Sequence, residues 1–230
     1  MWTRQLGGRA LHFRLAGINN QNFLMRDEET GSWWQQASGK AISGPLRGQS
    51  LELVNADELT FGWWKAESPG GQVLAPVAAD ERYYESNWEA EVQKLPTPLS
   101  FPGTGLQSRD VVMGLEVAGA SRAYPLAALV TQSPIQDRLG GVPILLALGP
   151  DGKSVRAFVS RVNGVEIELF RKSGTSDWIL VDSSNGSEWN FRGCAASGPS
   201  AGTCLDSLPV LKDYWFDWRN YHPATSVYRH

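Results

Sequence analysis

The sequence predicts a mainly β protein, built as two pseudo-equivalent antiparallel β halves with a few short helices. Three observations carry that expectation. Short apolar runs recur between turn signals, such as Pro-Asp-Gly at 150–152 and Asn-Gly at 163–164. The 230 residues include 24 Gly, 13 Pro and 10 Trp, a mix that suits short strands joined by tight turns. An ordered series of residues is also written twice, the mark of an internal repeat.

The echo begins with "DEETGSWW" at 27–34 and "DSSNGSEW" at 182–189. Asp27, Gly31, Ser32 and Trp34 meet Asp182, Gly186, Ser187 and Trp189 at one constant offset. After a one-residue gap, Gly44-Pro45, Gly48 and Leu51 meet Gly198-Pro199, Gly202 and Leu205. The series continues to Trp64-Lys65 against Trp218-Arg219 and to Pro69 against Pro223. Upstream, "TRQLGGRALHF" aligns with "SRVNGVEIELF", which sets Phe13 opposite Phe170 and His12 opposite Leu169. The expected organisation is a truncated first repeat at 1–74, a surface linker at 75–110 and a complete second repeat at 111–230. The first copy has no counterpart of residues 111–160, so it is expected to be a short form or a fragment. Any secretion signal would lie in that front.

The elements follow in order. "NFLMR" and "WWQQA" flank the first octet as strands, and "LTFGWWKAES" predicts a helix near 58–68, stopped by Pro69. Pro, Gly and Ser cluster in the linker around "RYYESNW", whose Tyr and Trp are expected to anchor it to the surface. "VVMGLEVAGASRAYPL" reads as a hairpin around Ala-Gly-Ala-Ser. "VPILLALGPDGKSVRAFVSRVNGVEIELF" adds three more strands, and "DWILV" and "WNFRG" flank the second octet. "DYWFDWRNYH" predicts a second helix near 213–222.

A net charge of −3 gives no footprint for nucleic acid. No apolar run approaches the roughly 20 residues of a membrane helix, so no membrane insertion is expected of this chain. No Gly-x-Ser-x-Gly elbow, phosphate loop or dinucleotide fingerprint is present, and no Cys has an obvious activating His.

Several elements together resemble the bacterial and archaeal family called domain of unknown function 3179. They are "GLEVAGASRAYPL", "IQDRLGG", "RDEETGSWWQQASGKAISGPLRGQSLEL" and "YWFDWRNYHPATSVY". The resemblance implies a duplicated, mostly β protein, usually exported or membrane-anchored, with no established activity. Members often carry a Tyr-Cys-Pro-x-Cys segment in the front of the first copy. The equivalent stretch here, "VPILLALGPDG", has no cysteine, so thiol or metal chemistry of that segment is not carried over.

The octet is read as a turn. Asp and Thr or Asn cap the backbone, Gly supplies positive φ, and Trp covers the hairpin. The rival makes Asp27, Glu28 and Glu29 a cation or acid–base cluster, but the second copy has Ser183 and Ser184 in place of the two glutamates. Cys194 and Cys204 are both missing from the first copy, where Ser50 faces Cys204, and they are expected to form a disulfide. A two-Cys zinc site lacks neighbouring His, so no metal or other cofactor is expected.

His12 is expected to pack or sit at an edge, His222 to cap a helix, and His230 to fray. Trp34/Trp189 and Trp64/Trp218 recur and are expected in the core. Trp33 and Trp63 face Glu188 and Asp217 across the alignment and are expected to be exposed, available to stack on a ligand or to seal the interface between copies.

The function expected is an extracytoplasmic (periplasmic or secreted) binding or scaffold module with no identifiable catalytic residue. Its binding candidates are Asp27, Glu28, Glu29, Trp33, Trp63 and His222, and its partner is an unknown small molecule, glycan or protein. The alternative is an enzyme or redox protein whose active segment lay in the missing front. An open groove between the halves with three or more converging His or carboxylate groups would favour the enzyme.

Overall fold

The computed structural model describes residues 1–175 and 177–229; His230 lies outside them. The chain is mainly β, with several antiparallel sheets and four short α-helices among the described residues.

Two four-stranded antiparallel meanders share one plan. The first runs through Phe13–Asn19, Asn22–Asp27, Trp33–Gln35 and Lys40–Ser43. The other runs through Leu169–Arg171, Leu180–Asp182, Glu188–Trp189 and Ala195–Ser197. In each, the octet turns the chain from the second strand to the third. The Asp27 amide donates to the Ser32 carbonyl at 3.1 Å, and the Asp182 amide to the Ser187 carbonyl at 3.0 Å. Gly31 and Gly186 have φ of +71° and +74°, conformations that side chains resist. Trp34 and Trp189 follow as two of the most buried side chains.

The next turn matches as well. Ser32 Oγ accepts from the Leu46 amide at 3.0 Å, and Ser187 Oγ from the Ser200 amide at 2.9 Å. The disulfide Cys194–Cys204 joins residues that also form an isolated bridge, as Lys40 and Ser50 do in the other sheet.

One alignment is corrected. Phe13 pairs with Asp27 and Leu169 with Asp182, so Phe13 corresponds to Leu169, not to Phe170. A one-residue slip in a strand exchanges its faces. Leu169 is accordingly buried, while Phe170 is 50% exposed. His12 then corresponds to Glu168: their carbonyls accept from the amides of Glu28 and Ser183.

The expected hairpin forms as Val111–Val117 and Ala120–Pro125, in a sheet with Leu211–Tyr214 and Ser226–Val227. A neighbouring sheet holds Ile135–Leu139, Val142–Leu148, Val155–Val159 and Ser207–Leu208. Met113, Leu115, Tyr124, Ile144 and Leu146 share one buried cluster drawn from both sheets. The run 143–148 is buried on both faces, which explains why it is continuously apolar.

The expected helices form as Phe61–Glu67 and Trp215–Tyr221. Their burial differs. Trp215, Phe216 and Trp218 are buried, and Gly114 lies so close to the Trp218 ring that a Cβ there would meet it at 2.2 Å. Trp64, expected in the core, is only half-buried, and Phe61 is 63% exposed. Strand Val111–Val117 covers the second helix, whereas the first docks by polar groups onto the other half of the chain. Thr60 Oγ1 donates to Asp151 Oδ2 at 2.6 Å, and Arg156 binds both Asp57 and Glu67. Trp215–Tyr221 reaches in the opposite direction, with Tyr221 hydroxyl donating to the Asn19 carbonyl at 3.3 Å.

Helix Leu126–Gln132 was not anticipated: it starts at Pro125 without a side-chain cap, and only Leu129 is fully buried. Helix Trp88–Lys94 lies in the expected linker. There the aromatic anchors fail. Tyr83, Tyr84 and Trp88 are 68%, 72% and 62% exposed. What ties the segment down is polar: the Leu95 and Pro96 carbonyls accept from Arg109 and Gln21.

Candidate functional site

The octet carboxylates do not assemble a site. Asp27 is 1% exposed and is consumed by the turn, accepting from the Thr30 amide and hydroxyl and from Trp34 Nε1. Burial raises its pKa, but the bonds from Trp34, Thr30 and Gly31 outweigh that and hold the carboxyl below its ordinary value. Glu29 accepts from His12 Nδ1 at 2.6 Å and from the His12 amide at 2.9 Å, at an exposed edge. Glu28 is exposed beside Arg14 and Arg26 on a shallow surface hollow. One turn thus sends three acids to three different environments.

Trp33 and Trp63 are half-buried, which corrects the expectation of exposure. Trp33 packs over Gly17 in the first meander. Trp63 donates to Glu67 Oε1 at 2.9 Å and meets Phe191, beyond the second octet, edge-on at 5.8 Å. Trp33 thus packs within the first meander, whereas Trp63 packs against the other half of the chain.

One hollow, of about 530 Å³, is lined by Asp57, Trp64, Glu67, Arg156 and Arg192 among others. Its charges neutralise one another: Arg156 lies 2.6 Å from Asp57 and 2.8 Å from Glu67, and Arg192 lies 3.3 Å from Glu67. It reads as a tie between strands and helix.

A second cleft, of about 350 Å³, is different. Trp2, Asn22, Gln36, Leu53 and Val54 come from the first half, and Gly114, Glu116, Val210, Asp213, Asp217, Trp218 and His222 from the other. The sequence positions its acids simply. Asp213 is the penultimate residue of the strand Leu211–Tyr214, and Asp217 stands one turn later in helix Trp215–Tyr221. Asp217 Oδ2 accepts from Asn22 Nδ2 at 3.0 Å, while its Oδ1 is buried with no hydrogen-bond partner. Asn22 is itself oriented by Gln35 Nε2, which donates to its Oδ1 at 2.7 Å.

Burial and the neighbouring charge of Asp217 push Asp213 up to about 8, against the one bond it accepts from the Tyr214 amide. Burial raises Asp217 as well, opposed by Asn22. Like charges confined in a low dielectric cannot both ionise cheaply, so the pair retains a proton at neutral pH.

His222 is the one sequence candidate that lines this cleft. It caps the helix, as expected: its amide donates to the Trp218 carbonyl, and its ring stacks on Trp218 at 3.6 Å. Burial lowers its pKa, outweighing the Trp218 carbonyl and Glu116, whose Oε2 lies 3.6 Å from Nε2. Four His or carboxylate groups therefore line the cleft, yet among the described residues no three His, Cys, Asp or Glu stand close enough to hold a metal ion.

Asp213, Asp217 and Asn22 were missed from sequence. The available signal was that Asp213 and Asp217 replace Leu59 and Trp63 of the first copy, charges standing in an apolar, aromatic segment. A charge at Asp217 implied exposure when read alone; the structure half-buries the residue and encloses its Oδ1.

A family model described as "Protein of unknown function (DUF3179)" matches residues 1–225, and the chain belongs to that family. No curated protein and no solved structure matches it.

Proposed function

We propose that this member of the family is an extracytoplasmic ligand-binding module whose site is the cleft between Asn22 and Asp217. The observation that carries the reading is the buried Asp217 Oδ1, a strong acceptor without a donor, on the wall of a cleft with apolar sides. Buried acceptors normally find a partner, and a ligand that brings a donor would supply it. The two matched meanders support descent from a duplication, with repeats at 1–74 and 111–230 and 75–110 between them. In that reading the cleft lies where the two copies meet. The Cys194–Cys204 disulfide supports an oxidising compartment. Among the described residues no helix is long and apolar enough to cross a membrane.

A second reading, an acid–base enzyme at the same cleft, is favoured by the acid pair: burial and the charge of Asp217 push Asp213 up to about 8, which suits a proton donor facing an acceptor. Among the described residues Glu116 and His222 do not form with the pair a cluster tight enough to hold a metal ion, which ranks it second.

Mapping amide and indole NMR shifts against a library of small polar and aromatic compounds tests the binding reading. Hits should move the Trp2 indole, the Asn22 side-chain amide and the Trp218 region. Hits that move only residues around Arg156 would overturn the choice of cleft. Chemical turnover of a cleft-binding hit, lost in Asp213→Asn, would promote the enzyme.

A further inference from the structure

The groups around the cleft define what its ligand must carry. Asn22 uses one amide hydrogen on Asp217 and accepts from Gln35, which leaves it one further hydrogen to donate. The Gln36 carbonyl is taken by Trp2 Nε1 at 2.7 Å. The Lys212 ammonium lies 3.6 Å from Glu58, outside the acid pair's own hydrogen bonds. His222 spends Nδ1 on the Trp218 carbonyl and turns Nε2 toward Glu116. Tyr221 donates to the Asn19 carbonyl. Apart from Asn22, no protein side chain among the described residues donates to the acid pair, while acceptor positions on both carboxyls remain.

A ligand hydroxyl would give Asp217 Oδ1 a donor but would not offset the repulsion that keeps Asp213 and Asp217 from ionising together. A cation relieves both. A hard metal ion would require several more oxygen ligands than the pair supplies. An ammonium group needs only acceptors, which it finds here, and the rest of its molecule needs apolar walls. Trp2, Leu53, Val54, Pro209 and Val210 provide them.

We propose that the cleft receives a ligand bearing a protonated amine, its ammonium group held by the Asp213–Asp217 pair and its hydrocarbon body lying along Trp2, Leu53 and Val210. This rests on the cleft being the binding site. The exchange balances simply: the ammonium enters with its charge, and the proton shared by the two carboxyls leaves to solvent. Binding therefore strengthens as the pair loses its proton and weakens again once the amine itself deprotonates. The charged or titratable groups around the pair are Glu58 and Tyr221, which interact with it electrostatically, and Lys212, Glu116 and His222, which line the same cleft. His222 is held uncharged by burial, so it does not compete for the cation.

The test uses the full chain with benzylamine and its neutral analogue benzyl alcohol, measured by calorimetry in two buffers of different ionisation enthalpy. Benzylamine should bind at neutral pH with release of a proton and about tenfold more tightly than the alcohol, a difference of about 1.4 kcal/mol. Affinity should fall by about tenfold on moving one unit below the pair's titration. Asp217→Asn and, independently, Asp213→Asn should remove proton release and the preference for the amine, with folding checked by thermal melting. Equal binding of amine and alcohol would overturn the proposal while leaving the cleft as a binding site. Absence of benzylamine binding, with other compounds still moving the cleft signals, would also overturn it. If no compound moves those signals, the binding reading fails first and the amine proposal with it.

Discussion

The indole nitrogen of Trp34 donates to Asp27 Oδ2 at 2.8 Å, and both side chains are buried. The corresponding pair, Trp189 Nε1 and Asp182 Oδ2, is also buried, but neither atom has a partner. One turn sequence therefore gives two degrees of hydrogen bonding.

Asp27→Ala should cost about 1.5–3 kcal/mol in urea unfolding at neutral pH, the range for bonds to a charged group. The Asp27 pKa is lowered on folding, so its contribution is present above the unfolded-state value and is lost as pH falls through the folded-state value. The gap between wild type and variant should accordingly close below about pH 4. A gap that persists undiminished in acid would mean that the carboxylate charge is not what the turn uses.

Reducing Cys194–Cys204, or replacing both cysteines by serine, should destabilise the chain by about 2–3 kcal/mol, the chain-entropy value for a short loop. The fold should survive, because Lys40 and Ser50 form the matching bridge in the other sheet without a covalent bond. Complete unfolding on reduction, read by near-ultraviolet circular dichroism, would contradict that equivalence.

Arg156 is 7% exposed at its side chain and joins strand Val155–Val159 to Asp57 and to Glu67 of the first helix. Bonds from Arg156, with its charge, keep Glu67 below the ordinary carboxylate range against burial. Arg156→Ala leaves the buried Glu67 with only Trp63 and the more exposed Arg192 as partners, and should cost up to about 3–5 kcal/mol in denaturant unfolding. A loss of under about 1 kcal/mol would mark the pair as an ordinary surface contact.

Local rules made much of the fold legible. The turn chemistry of the octets and of Gly44 and Gly198, the hairpin at 111–125 and the two Pro-stopped helices all follow from short-range signals that the backbone must obey. What sequence misjudged depends on tertiary context. The identity of two phenylalanines outweighed the ladder, so Phe13 was matched one residue late. Trp64 shares its place with Trp218 but lacks the strand that covers it. Tyr83, Tyr84 and Trp88 were read as anchors because aromatics usually bury, yet nothing apolar meets them closely enough to hide them. The cleft was illegible for the same reason: Asn22 and Asp217 lie far apart in the chain, and only the packing of one half on the other makes them partners.

The most direct test of the cleft is a carbon-13 NMR titration of the Asp213 and Asp217 carboxyls. A carboxyl raised on folding contributes stability below its unfolded-state pKa and loses it as pH rises through the folded value. Asp213 should therefore titrate near pH 8, and unfolding free energy should decline toward that pH in the wild type but not in Asp213→Asn. If both carboxyls titrate below about pH 5, in the ordinary aspartate range, the pair holds no proton at neutrality and the cleft does not contain the buried, mutually repelling acid pair described.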